Sequence, residues 1–551
     1  MLNTPLTPSA PLLPLLASGT LPPLAVLLRW LEDLRADHVV TVIAETLPPL
    51  NGSLPDVLRL GGITTLLSAQ QPAPEFRWEG FGGNRITMAE VSPAADAVVE
   101  AFHHGELPAG EARFADDTGF LSLVDVARLE DASACLGIGT GAAWHHVLAT
   151  LDRSRVPRMQ ALTACAIEDG ALGAWNPLPF ARWLNVSLPS TSRPWALIDS
   201  HGRQSPVQIV EGIEGPELLT CLELGALEAV TLRPVDEPVA DVTWEVEERI
   251  LDNGLVRAEF DPLGQITRLC WRGVFAELAG PAVAPRLDGV ALGGSATISI
   301  LEAGPVRARI CVVRTTVSGV LRVTYTMHAH DDGLRIAVAW SPTSDYANAD
   351  LELDHPTAHR GCHLHLAGEL CRSTVPQALS LTQPPVGPQG GVRWATLGDA
   401  AGRGVALVAG RPVVVSAVGG VLKVHGAPTS YALYAAARQN GANLGQLALA
   451  LAAPGRATAL EESVPAPFRL AELGGLVPLW ARRPAEWAGE LVFSEQNQSR
   501  GRAWLFPQTK PREAWRVDAA GNGLAPVSLT REGDGLEIDH LPGEILIIRW
   551  R

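Results

Sequence analysis

Polar and apolar positions alternate most cleanly between Arg249 and Leu269, where Leu255, Arg257 and Glu259 interleave with Val256, Ala258 and Phe260. Asp261-Pro262-Leu263-Gly264 then carries turn chemistry, and apolar residues resume at Ile266 and Leu269, so the pattern predicts a β-hairpin. Nearer the N-terminus the period is different. Leu24, Leu27, Leu28, Leu31 and Leu34 fall at helical spacing within residues 22–35, and residues 39–44 read as a short buried strand. A Pro/Gly turn at residues 48–52 leads to a short helix over 54–63 that stops at glycines, followed by a strand over 64–67. Helix, strand, helix, strand predicts a parallel α/β sheet; two repeats cannot close an eight-unit barrel, which leaves a fragment or a small open sheet.

From about Asp116 to Ala174 the apolar spacing is helical, with Leu121, Val124, Val126 and Leu129, then Trp144, Val147, Leu148 and Leu151. Trp175 to Phe180 closes that part, after which short strands separated by turns run almost to the end, finishing on the apolar strand Ile545-Leu546-Ile547-Ile548. The expected class is α+β, mainly β. Five parts are expected: an α/β part over 1–115, a helical segment over 116–175, a small β-domain over 176–244, a large antiparallel β-sandwich over 245–485 and a C-terminal β-module over 486–551.

Composition narrows the function classes. With 551 residues, 47% of them apolar and 19% charged, the chain is globular and long enough for several cores. A net charge of −16 and only two lysines, Lys423 and Lys510, argue against a nucleic-acid partner, which requires clustered cations. The seven cysteines are scattered, with no C-x-x-C pair, so neither a disulfide framework nor a zinc ribbon is written and a reducing cytoplasmic location is expected. Pro5, Pro8, Pro11 and Pro14 interrupt the leucine-rich start and the first basic residue is Arg29, so no signal peptide and no membrane partner are expected. Asn51, Asn185 and Asn497 lie in N-x-S/T triplets, which carry meaning only on a secretory route. There is no G-x-S-x-G elbow and no P-loop, and the glycine run 137–141 lacks the acidic partner of a dinucleotide fold.

The wording of several segments adds to these patterns. "LDNGLVRAEFDPLGQITRL" resembles the opening of the large β-sandwich of glycoside hydrolase family 38, the α-mannosidases. "FRWEGFGGNR" resembles a segment near that family's substrate cleft, keeping Trp78, Glu79, Gly80, Gly83 and Arg85 but placing Gly82 where an Asp is usual. "NPLPFARWLNVSLP", "LIDSHGRQSPVQIV" and the strands at 393–397, 404–408 and 430–434 follow in the family's order. The resemblance implies that the N-terminal part is a shortened derivative of a catalytic barrel, followed by the family's helical middle domain and its β-sandwich superdomain.

It also implies a chemistry that can be looked for. Such enzymes are retaining, zinc-dependent glycosidases, and retention needs two carboxyl groups roughly 5 Å apart flanking the glycosidic bond. The family's H-x-D zinc motif on the first barrel strand has no counterpart here, which reads as a start too late to include it. The family's nucleophile segment, aligned on Leu54-Pro55, puts Thr46 at the Asp and Pro49 at a glycine; Glu45 serves only if the register slips by one. At the remaining ligand segment, "SACLGIGT" puts Ala134 at the His and Cys135 at the Asp while keeping the Gly139-Thr140 turn. Glu79 is the best remaining carboxylate, although an ordinary loop carboxylate accounts for it as well. Arg77 and Trp78 are candidates for substrate contact, and Trp78, Trp144, Trp175 and Trp183 for stacking on sugar rings, with core packing as the plainer role. His355, His359, His363 and His365 fall within eleven residues and invite a metal reading, against which stands a structural strand with His363 and His365 on one face. No cofactor is therefore expected, zinc included. The expected function is that of a catalytically degenerate α-mannosidase-like protein acting in carbohydrate binding or as a scaffold, with homo-oligomerisation open. The alternative is an active hydrolase with relocated carboxylates or a partner-supplied site.

Overall fold

The computed structural model describes residues 41–44, 54–68, 76–79, 85–90 and 172–551, the last apart from 177, 190–193, 212–215, 238–243, 273, 277, 358–362, 368–371, 377–385, 400–402, 453–454, 460–462, 464, 483–485 and 519–520. The expected helices at 22–35 and over most of 116–174 lie outside these residues, as do Glu45, Thr46, Ala134, Cys135, Trp144 and His359.

The described N-terminal part is a small α/β sheet. Thr41–Ala44, Thr65–Ser68 and Arg85–Glu90 run parallel in that order, and Phe76–Glu79 pairs antiparallel along the edge. The helix Leu54–Leu60 buries Leu54, Val57 and Leu58 and ends at Gly62 with φ +77°, the left-handed stop its glycines announce. The remainder is almost wholly antiparallel β-structure, the mainly-β class expected from the alternating pattern.

A seven-stranded sheet comes first. Its members include Leu172–Trp175, where the helical spacing running to Ala174 misleads: these residues form a strand, paired with Ala229–Leu232 on one side and with Arg456–Ala459 on the other. Helix-compatible residues become strand because two neighbours supply backbone partners on both edges. Asn176, fully buried, fixes the exit from that strand. Its Nδ2 donates to Phe180 O (2.8 Å) and Gly225 O (2.6 Å), and its Oδ1 accepts from Leu178 N (3.1 Å) and Arg182 Nε (3.0 Å).

The expected hairpin is present as Val256–Phe260 and Ile266–Trp271, within a five-stranded sheet that packs on a thirteen-stranded one. Alternation places Val256, Ala258, Phe260, Ile266, Leu269 and Trp271 against Ala308, Ile310, Val312, Val323 and Tyr325 of the larger sheet, so polar partners face outward. Two devices set the hairpin. Asp261 Oδ1 accepts from Leu263 N and Gln265 N (2.8 Å each), and Gly264, at φ +75°, lies against Val312 so closely that a side chain has no room, while Tyr325 donates to its carbonyl (2.7 Å). Asn253 Oδ1 accepts from Leu255 N and Val256 N, and its Nδ2 reaches across to the carbonyls of His328 and Asp331 (2.8 Å each).

Beyond the large sheet, Phe468–Ala471 and Leu476–Arg482 open two further sheets that share one core built on Phe493, Leu505, Ile538, Ile548 and Trp550. Residue 486 falls between Leu476–Arg482 and its partner Gly489–Glu495. The helix Gly441–Ala452 is wedged between this part and the large sheet: Gly441 and Gly445 lie against Gln496, and Trp394 Nε1 donates to Gln496 Oε1 (3.1 Å). Among the described residues no helix is long and apolar enough to cross a membrane.

Candidate functional site

Arg77, Trp78 and Glu79 sit on the edge strand Phe76–Glu79, at register positions opposite Thr87, Ile86 and Arg85. Trp78 and Glu79 therefore belong to a strand rather than to a loop. Trp175 is half-buried in its sheet. Trp183, on the strand Arg182–Pro189, is 42% exposed with one face taken by His330, whose ring stacks on it at 3.8 Å and 13°. Trp195, which sequence reasoning passed over, is 67% exposed, the most open indole among the described residues. Tryptophan count alone gives no signal that separates it from core residues.

The histidine run does not assemble a metal site in the described residues. His355 is buried, with Nδ1 at 3.2 Å from Leu422 O and Nε2 at 3.0 Å from Tyr431 Oη, and burial pulls its pKa down to about 4. His363 and His365 do share one face of the strand His363–Ala367, with near-parallel rings 6.3 Å apart. A different trio converges, Asp350, Glu352 and His425. The Lys423 ammonium already pairs with Glu352 and lies 3.7 Å from Asp354, and His425 meets Asp350 Oδ2 (3.0 Å) and Ser416 Oγ (2.7 Å), so each of the three groups already has a protein partner.

A cavity of about 520 Å³ lies on the outer face of the large sheet. Alternation along Arg307–Thr315, Gly319–His328 and Leu334–Pro342 turns Arg307, Arg309, Thr326, His328 and Arg335 to that face, with Arg309, Thr326 and Arg335 in one cross-strand row. Arg411 adds a fourth guanidinium. Glu302 accepts from Arg307 Nε (2.6 Å) and Nη2 (2.8 Å) and from Arg309 Nη1 (3.0 Å), while Asp331 accepts from Arg335 Nη2 (2.8 Å). His328 is buried, its Nδ1 has no hydrogen-bond partner, and burial followed by the charges of Arg335, Arg307 and Arg309 holds its pKa well below the usual imidazole range. Leu451 and Ala452, at the end of the helix Gly441–Ala452, form the rim beside Gly410, where an added Cβ would come within 2.8 Å of Ala452 N. Arg182 Nη1 donates to the Ala450 carbonyl (3.0 Å) of that helix end, and burial and the Arg335 charge lower its pKa to about 9.

No protein-family model matches the chain, and no curated protein matches it. Solved structures do. An α-mannosidase from Enterococcus faecalis V583 aligns over 92% of this chain and 87% of its own, with a TM-score of 0.63 at 11% identity. A glycosyl hydrolase family 38 protein from Enterococcus faecalis aligns over 91% of this chain and 85% of its own, with a TM-score of 0.58 at 12% identity. The chain is thus similar in fold, over nearly its whole length, to structures described as α-mannosidase and as family 38.

Proposed function

We propose that this chain is an α-mannosidase-like protein of glycoside hydrolase family 38 that binds carbohydrate without hydrolysing it. The observation that carries the reading is the likeness in fold to an α-mannosidase across 92% of the chain. Fold alone does not transfer chemistry, which resides in the side chains at the site. The resemblance in sequence favours loss of catalysis: aligned on the family's motifs it puts Thr46 at the nucleophile and Ala134 and Cys135 at ligand positions. A threonine hydroxyl lacks the charge and basicity that a carboxylate nucleophile brings to an oxocarbenium-like transition state.

Zinc, which the fold family implies, does not fit the described candidates. Both ring nitrogens of His355 are within hydrogen-bond distance of protein oxygens, and in the Asp350, Glu352 and His425 trio Glu352 is already paired with Lys423 and Asp350 with His425. Sugar contact in this reading falls to aromatic faces such as Trp183 and Trp195, with Trp78 and Arg77 on their edge strand as further contributors.

Turnover of an aryl α-mannoside, measured with and without added zinc, together with metal analysis of the purified protein, tests the loss of catalysis. No turnover above the uncatalysed rate is expected. A rate abolished by Glu45→Ala or Glu79→Ala would establish an active hydrolase with relocated carboxylates. Calorimetry with mannose, mannobiose and a non-sugar control tests binding, and the absence of heat with both sugars at millimolar concentration would leave a scaffold role.

A further inference from the structure

We infer that the arginine-lined cavity on the outer face of the large sheet is a binding site for a small anionic molecule, one that presents a phosphate or carboxylate group. The inference stands independently of the mannoside reading. Its first support is charge. The chain carries −16 overall, yet this cavity is lined by four guanidiniums, Arg307, Arg309, Arg335 and Arg411, against which Glu302 pairs with Arg307 and Arg309 and Asp331 with Arg335. Arg307 and Arg309 share the single carboxylate of Glu302, so their two charges are half matched there. A set of guanidiniums held together only for stability would repel one another in a partly dry site, whereas an oxyanion relieves the repulsion.

The second support is hydrogen bonding. A guanidinium carries five N–H donors in a planar fork that matches carboxylate and phosphate oxygens in pairs. In the row formed by Arg309, Thr326 and Arg335, a hydroxyl stands between two such forks. His328 completes the wall with a buried Nδ1 that has no partner in the protein, an arrangement that costs stability unless something else meets it. Burial, followed by the neighbouring arginines, keeps that ring neutral, so one nitrogen retains a proton to donate and the other a lone pair.

The third support is shape. About 520 Å³ falls within the range of roughly 300–1,000 Å³ typical of small-ligand pockets and suits a phosphorylated or acidic monosaccharide better than a bare ion. The helix end at the rim would present carbonyls that repel an anion, but Arg182 donates to the Ala450 carbonyl and offsets them.

Calorimetric titration of the full chain with inorganic phosphate, glucose 6-phosphate and glucuronate, with mannose as the neutral control, tests the assignment. Heat with at least one anion and none with mannose is expected, with affinity falling as salt rises. Response to both phosphate compounds identifies a phosphate group as the ligand chemistry, and response to glucuronate alone identifies a carboxylate. Arg309→Gln and the exposed Arg411→Gln should each weaken binding by about tenfold, near the 1.4 kcal/mol that a tenfold change represents. Unchanged thermal unfolding of Arg411→Gln keeps that result free of folding effects. Silence with all three anions at millimolar concentration, heat with mannose equal to that with the anions, or affinities left within about twofold by both substitutions would each overturn the assignment.

Discussion

Replacing Asn253 by alanine tests what fixes the hairpin to the large sheet. The side chain accepts from Leu255 N (3.0 Å) and Val256 N (2.9 Å) and donates to the carbonyls of His328 and Asp331 (2.8 Å each). A net hydrogen bond contributes about 0.5–1.5 kcal/mol, and a buried group stripped of its partner costs about 1–3 kcal/mol. Asn253 is only 5% exposed, so water does not readily replace what is removed. Four modest bonds, two of them to backbone amides that otherwise stay unpaired, give an expected loss of about 3 kcal/mol in the free energy of local opening. That corresponds to exchange about a hundredfold faster. Hydrogen exchange read by mass spectrometry on peptides spanning 249–272 measures it directly. Asp252→Ala removes the exposed bond from Gly254 N (2.7 Å) and a long contact with Arg257 Nη1 (3.3 Å), and should change exchange by less than about tenfold. Exchange in Asn253→Ala within about fivefold of the parent would refute the anchoring role.

Three further outcomes are expected. Gly264→Ala should destabilise by about 3 kcal/mol, because left-handed backbone strain adds to overpacking against Val312; Gly254→Ala, at φ +79° with open space around it, should cost only about 1 kcal/mol in denaturant unfolding. His355, held at about 4 when folded against 6.5 when free, takes up its proton in the unfolded chain first, so stability falls as pH drops from about 7 toward 4. Between pH 7 and 5 that one group should remove about 2 kcal/mol, and His355→Gln should flatten the slope of unfolding free energy against pH. Burial, followed by the Asp331 charge, pushes the Cys221 thiol up to about 12, so peptide mapping after iodoacetamide at pH 8 should find Cys221 unlabelled in the native protein and Cys270, which is half-exposed, modified.

What the sequence disclosed depended on range. The hairpin was legible because alternation, the Asp261 turn and Gly264 all act within a few residues, and the strands at 393–397, 404–408 and 430–434 lie within observed strands for the same reason. The anchoring by Asn253 was not, because its carbonyl partners lie 75 and 78 residues away. The arginine cavity was equally hidden. Arg307, Arg309 and Arg335 each look like outward charges of a half-buried strand, and only the register that sets Arg309 and Arg335 opposite Thr326 brings them together. The surroundings of His355 were hidden in the same way, because the Leu422 carbonyl and the Tyr431 hydroxyl that its ring meets lie 67 and 76 residues away.

The pairing of Leu172–Trp175 with Arg456–Ala459 also constrains the order in which the chain can assemble during synthesis. At ~5–20 residues per second, on the order of 10–60 s pass between emergence of the two strands. The residues that form the large sheet and the helix Gly441–Ala452 emerge in that interval. Until the later strand arrives, Leu172–Trp175 is the outermost strand of its sheet, with a row of unpaired amides and carbonyls. The nascent protein therefore passes through a period in which Leu172–Trp175 is an open template, and the strand that covers it emerges only after the strands of the largest core.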